Sequence, residues 1–243
     1  MDRRRLGPLY VTQIDKGVRG NGDSEKAPLT VVLMHGFGAP GDDLVALADM
    51  IDAPPGTRFV FPEALHALSD FLSQPMLGDA RAWWMIDFAK LERALTTGET
   101  RDLSNEKPKG IDEAREAVNA MLDELAKERP LDRLVLGGFS QGAMLSLDLA
   151  LRTSRPLVGL VLLSGTLIAE NEWAPLMASR KGHPVFQSHG TEDAILPYAM
   201  AERLRDLLVE NGLDVTFEKF VGPHAIPPNV LRRLSQWLSA LKA

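Results

Sequence analysis

Cysteine is absent from the 243 residues, so the chain holds no disulfide, thiolate metal site or cysteine nucleophile, while any redox compartment stays open. Histidine is limited to five positions, and no pair has the HExxH spacing of a zinc site. Neither a metal nor another cofactor is therefore expected, and a general base has few candidates. Basic charge is in deficit: 27 Lys and Arg against 33 Asp and Glu give a formal net charge of -6. That balance argues against nucleic acid, whose binding rests on phosphate neutralisation, and favours a substrate that is neutral or weakly anionic at its reacting end. No stretch approaches the roughly 20 apolar residues of a membrane span. The start, Met1-Asp2-Arg3-Arg4-Arg5-Leu6-Gly7-Pro8, is basic, but polar Gln13-Ile14-Asp15-Lys16 comes next in place of a sustained apolar signal core. The expectation is a cytoplasmic protein without stable membrane insertion, its arginine trio a solvated tail.

What is present begins with Gly138-Phe139-Ser140-Gln141-Gly142, a GxSxG string between an apolar run at 131–136 and a helical pattern at 143–151. A strand-to-helix reversal this tight strains the serine backbone, and glycines two before and two after remove side chains that would clash. Ser140 is thus a candidate nucleophile rather than one more Gly-Ser turn. A serine hydroxyl needs a base, and the base an orienting carboxylate. Of the three histidines after Ser140, His183 and His189 bracket a strand-like stretch and read as structural. His224 lies in the loop Gly222-Pro223-His224-Ala225-Ile226-Pro227-Pro228, at the carboxyl end of a strand, where open α/β sheets gather chemistry. Asp193, just past the preceding strand in His189-Gly190-Thr191-Glu192-Asp193, is the candidate acid, with Glu192 the adjacent competitor and a helix cap the alternative role. An oxyanion hole needs two backbone N–H groups, one from the residue after the nucleophile, Gln141, and one from an early loop. His35-Gly36-Phe37-Gly38 comes directly after a strand at 30–34, which makes Phe37 the second candidate.

These motifs carry a family resemblance. LMHGFG at 33–38, FVFPEA at 59–64, RAWW at 81–84, GFSQGA at 138–143 and SHGTEDAILP at 188–197, closed by His224, are similar to the phospholipase/carboxylesterase group of α/β-hydrolases, which includes the acyl-protein thioesterases. The resemblance implies an α/β-hydrolase fold, with a central mostly parallel sheet flanked by helices on both faces, and a Ser140, Asp193 and His224 triad with Phe37 and Gln141 as oxyanion donors. It also implies hydrolysis of carboxylic ester, thioester or lysophospholipid bonds. The loop Gly38-Ala39-Pro40-Gly41-Asp42-Asp43 departs from the group's GLGD form, and residues 87–110 read as an insertion or lid margin. A peptidase, an acyltransferase or a binding protein on the same fold are the rival classes.

Along the chain, strands and helices alternate, as in a doubly wound sheet within one domain, 1–243. An edge strand at 9–14 and a loop at 17–26 make up an N-terminal piece, 1–28. Then come a strand at 30–34, a helix at 42–51, a strand at 58–61, an amphipathic helix at 111–128, a strand at 158–163, a strand at 215–221 and a helix at 228–241. The stretch 62–110 gathers Phe71, Leu72, Met76, Leu77, Trp83, Trp84 and Phe88 among Pro and Gly, and 96–109 reads as a surface loop. Trp83 and Trp84 are candidate pocket walls, one of them expected to be core because adjacent residues cannot point the same way. An apolar wall should raise activity with acyl length until the pocket is full, and with no long contiguous apolar segment to mark a deep tunnel or large lid, short-to-medium acyl chains are expected. The partner is a small-molecule acyl ester, with no nucleic acid; a homodimer stays open.

Overall fold

The computed structural model describes residues 2–17, 28–71, 78–97 and 101–241; Leu72, Met76 and Leu77 lie outside these. The strands are β1 (Asp2–Leu6), β2 (Leu9–Asp15), β3 (Thr30–Met34), β4 (Arg58–Pro62), β5 (His66–Ala67), β6 (Arg81–Ala82), β7 (Leu134–Phe139), β8 (Leu157–Leu163), β9 (Pro184–Gly190) and β10 (Asp214–Phe220). The helices are α1 (Leu47–Met50), α2 (Phe88–Thr97), α3 (Ile111–Glu128), α4 (Gln141–Arg152), α5 (Glu170–Met177), α6 (Tyr198–Glu210) and α7 (Pro228–Ala240). Eight strands form one sheet in the order β1-β2-β4-β3-β7-β8-β9-β10, and β5 and β6 pair as a separate ribbon. From β4 to β10 neighbours run parallel, while β1 and β2 are antiparallel to their neighbours.

Strand residues alternate between faces, and here both faces are apolar because both are covered. Val31 and Leu33 of β3, Phe59 and Phe61 of β4, and Val161 and Leu163 of β8 join a cluster completed by α1 and α7. Their neighbours Val32, Met34, Val60, Leu160 and Leu162 face a larger cluster with α3, α4 and α6. Helix α3 falls where its periodicity places it: Ile111, Ala114, Val118, Leu122 and Leu125 are buried on one stripe.

Four local expectations are corrected. The arginine trio is not a solvated tail: it lies on β1, the true edge, which makes β2 second from the edge. Leu6 and Leu9 are buried on either side of a turn in which Gly7 adopts φ 57°, and Arg3 pairs with Glu63 at 2.6 Å while Arg4 pairs with Glu128. The helix expected at 42–51 shrinks to Leu47–Met50. Successive turn bonds, Asp43 N–H to Pro40 O at 3.1 Å and Val45 N–H to Asp42 O at 3.0 Å, shape the stretch before it, as poor helix formers around Pro40-Gly41 allow. The strand expected at 131–136 begins at Leu134, where pairing with Thr30 of β3 starts, and runs to Phe139. The surface loop expected at 96–109 gives Thr96 and Thr97 to α2; Asp102, Asn105, Glu106, Lys107 and Lys109 are exposed as expected, but Ser104 is fully buried, its carbonyl accepts from Glu170 N–H at 2.7 Å, and Glu106 O accepts from Ala169 N–H at 3.1 Å.

Candidate active site

Ser140 occupies the turn between β7 and α4 with φ 55° and ψ -115°, a conformation that costs on the order of 1–3 kcal/mol in a residue with a side chain. Its surroundings hold it there. The Ser140 N–H donates to Leu163 O at 2.8 Å, and its carbonyl accepts from Ala143 N–H at 3.0 Å. The flanking glycines are steric necessities: a Cβ on Gly142 would stand 2.0 Å from Met34 O, and one on Gly138 would stand 2.4 Å from the same oxygen.

Asp193 and His224 meet because β9 and β10 are neighbours whose connecting loops are stitched together. Thr191 N–H donates to Phe220 O at 2.8 Å and Glu192 N–H to Gly222 O at 3.0 Å. Gly190 makes the approach possible, since a Cβ there would lie 2.4 Å from Gly222 O and 2.5 Å from Pro223 O. The His224 Nδ1–H donates to Asp193 Oδ2 at 2.6 Å, leaving Nε2 as the ring's basic nitrogen. Asp193 Oδ1 accepts from the amides of Ile195 and Leu196 at 2.9 and 2.8 Å. Burial opposes ionisation of Asp193, yet His189, His224 and the Leu196 amide outweigh it and hold the carboxyl well below the usual carboxylate range. Glu192 is exposed, and both imidazoles pair with Asp193 instead.

The sequence reading of His189 as merely structural missed a partner of this carboxylate. Its ring is fully buried, and its Nε2–H is shared between Leu196 O at 2.8 Å and Asp193 Oδ2 at 3.2 Å. The i,i+4 spacing across a glycine reversal, His189-Gly190 to Asp193, was the available signal. His35 was also passed over. Its Nδ1–H donates to Gly36 O at 2.8 Å and its Nε2 accepts from Ala64 N–H at 3.1 Å, and burial lowers its pKa to about 4.

Ser140, His224, Phe37 and Gln141 all line one cavity of about 710 Å³. No hydrogen bond joins Ser140 to His224, whose ring lies 4.7 Å from that of Phe139 at a 46° tilt; such bonds often tighten only around a substrate. Among the described residues the amides of Phe37 and Gln141 have no backbone acceptor. The Gln141 side chain does different work: its Oε1 accepts from Trp83 N–H and its Nε2 donates to Trp84 O, both at 2.9 Å, which clamps the end of β6 onto the start of α4. The two tryptophans then part. Trp84 lines the cavity with Met85, Ile86 and Leu91. Trp83 does not: fully buried, it donates Nε1–H to His35 O at 3.0 Å and packs on the His35 ring, because an adjacent residue must point the other way. Among the described residues no group of His, Asp or Glu is arranged to hold a metal ion.

Residues 21–242 match the phospholipase/carboxylesterase family profile. The chain belongs to the phospholipase/carboxylesterase family. Membership makes it a carboxylic-ester hydrolase of the α/β-hydrolase fold. An acyl-protein thioesterase 1 of Cryptococcus neoformans is 28% identical, over 88% of this chain and 92% of its own length. One from Emericella nidulans is 30% identical, over 88% and 90%. The crystal structure of esterase PE8 superposes with a TM-score of 0.73 at 28% identity, covering 95% of this chain and 97% of that one. The Zea mays acyl-protein thioesterase 2, at 24% identity and a TM-score of 0.62, shares the fold over 93% of this chain and 97% of its own. No helix among the described residues is long and apolar enough to cross a membrane.

Proposed function

We propose that Ser140, His224 and Asp193 are the catalytic triad of a single-domain serine hydrolase that cleaves a carboxylic ester or thioester of a small acyl substrate. His224 Nε2 takes the hydroxyl proton as Ser140 Oγ attacks the carbonyl carbon. The tetrahedral oxyanion is held by the Phe37 and Gln141 amides, and its collapse expels the alcohol or thiol, which receives the proton from His224. Water, deprotonated by the same imidazole, then attacks the acyl-serine and releases the acid. Asp193 keeps the imidazole in the tautomer that leaves Nε2 basic, and His189 donates to the same Asp193 oxygen, Oδ2, that accepts from His224. The observation that carries this reading is the Nδ1-to-Asp193 bond of an imidazole sharing a cavity with a serine at φ 55°. The names of the curated relatives, acyl-protein thioesterases, support including the thioester.

The test is labelling with a fluorophosphonate, which should modify Ser140 alone, combined with hydrolysis of p-nitrophenyl and thioester substrates. Ser140→Ala should lose about 10⁴-fold or more of the activity with its fold intact by circular dichroism. Labelling that persists in Ser140→Ala would remove the nucleophile assignment.

A further inference from the structure

The cavity wall contributed by the 87–110 segment carries charges that ester hydrolysis does not use. Arg101, Lys90, Lys107 and Lys109 line it together with Glu106 and Asp87. Most are already engaged. Lys90 holds Glu106 at 3.0 Å, and Lys107 holds Asp112 at 2.9 Å and Glu172 at 3.3 Å. Asp87 accepts the Lys90 amide at 3.0 Å at the start of α2. Arg101 is different. Its Nε is buried without an acceptor, and among the described residues no carboxylate stands within ion-pair distance of its guanidinium. Burial pulls the Arg101 pKa below the ordinary arginine range, although Glu106 and Asp87 act in the opposite sense. Lys109, exposed and lining the same cavity, also has no ion pair among the described residues.

A guanidinium whose Nε is buried without an acceptor is costly unless a ligand completes it, and its fork of donors matches the planar oxygens of a carboxylate or the oxygens of a phosphate. We infer that Arg101, with Lys109 at the rim, forms an anion subsite in the active-site cavity, so that the preferred substrates are acyl esters carrying a carboxylate or phosphate away from the scissile bond. This rests on the triad reading and narrows it. The reacting end stays neutral, as the chain's net charge of -6 favours; the anion lies on the far side of the cavity's contents, against the 87–110 wall.

Two substrate pairs separate where the anion sits. In one, p-nitrophenyl butyrate is compared with the p-nitrophenyl hemiester of succinate, which places a carboxylate on the acyl side. In the other, monobutyryl glycerol is compared with its phosphate, which places the charge on the alcohol side. The readout is the ratio of kcat/KM for the charged over the neutral member. Arg101→Gln should lower that ratio about tenfold in at least one pair, the loss of one charge-assisted contact at 1.4 kcal/mol per decade, chiefly through KM. Arg101→Lys should lose less. A ratio that stays constant in both pairs, whether the two members fall together or neither moves, overturns the subsite. The two readings can fail separately, because inorganic phosphate and monomethyl succinate can be titrated calorimetrically into Ser140→Ala protein. Binding there that weakens on adding Arg101→Gln supports the subsite even if Ser140 proved not to be the nucleophile; binding indifferent to Arg101 counts against it even if the triad stands.

Discussion

The two sides of the cavity are built by different means. On the sheet side, position is set by the backbone: a serine at φ 55°, glycines whose Cβ atoms would collide with carbonyls at 2.0 to 2.5 Å, and loop amides bonded across β9 and β10. On the other side, among the described residues from β5 to the start of α3, backbone bonds are joined by side chains reaching across, chiefly Gln141 to Trp83 and Trp84, and Trp83 to His35. Backbone constraints admit almost no substitution and therefore leave a fixed motif. Side-chain clamps can be made many ways and leave none.

That contrast can be broken most sharply at Asp193. If the sheet side alone sets the chemistry, Asp193→Asn should lower kcat/KM by about 10⁴-fold through loss of the correct imidazole tautomer, whereas exposed Glu192→Gln should change it little. Steady-state kinetics on a short p-nitrophenyl ester decide the matter, and equal losses would return the choice of acid to Glu192.

His35 joins the two sides, and its effect should appear in stability rather than in turnover. Its pKa falls from 6.5 to about 4 on folding, so between those values the unfolded chain binds the extra proton. The neutral ring's contribution is complete above pH 6.5 and is lost as pH falls through 4, a change of up to about 3 kcal/mol at 1.36 kcal/mol per pKa unit. Urea midpoints measured from pH 7 to pH 4 should therefore decline in the native chain and decline less in His35→Gln, which keeps an acceptor for Ala64 N–H. Parallel slopes for the two proteins would show that other groups carry the acid sensitivity.

The smallest effect belongs to the side-chain wall. Each buried methylene of an acyl chain is worth about 0.8 kcal/mol, so Trp84→Ala should flatten the rise of kcat/KM with chain length while sparing acetyl esters. Trp83→Phe should instead lower stability, since it removes the bond to His35 O from a fully buried ring. A length profile that responds to Trp83 and not to Trp84 would reverse the two assignments.

The same division explains what could be read from the sequence. GFSQG, the HGTED run and the loop around His224 were legible because a glycine at each close approach is the one residue that fits. The alternation of strands with helices and the stripe on α3 were legible from periodicity, whereas β1 at the sheet's edge was not. What escaped depends on partners far apart in the chain: His189 behind Asp193, Gln141 beneath the tryptophans, Ser104 pinned to Glu170, and the Arg4–Glu128 pair that ties β1 to α3. None of these contacts has a local composition of its own. The resemblance to the family supplied the tryptophans as a pair and could not say which one faces the cavity.

A row of unpaired backbone groups at the rim of a sheet invites another chain to add itself, and β1 is such a rim. Its first four residues, Asp2-Arg3-Arg4-Arg5, alternate between the two faces of the sheet, with Arg3 and Arg5 exposed. A second molecule approaching edge to edge would have to strip water from exposed Arg3 and Arg5 and disturb the Arg3–Glu63 and Arg4–Glu128 pairs. The charged side chains of β1 thereby disfavour edge-to-edge pairing along this rim.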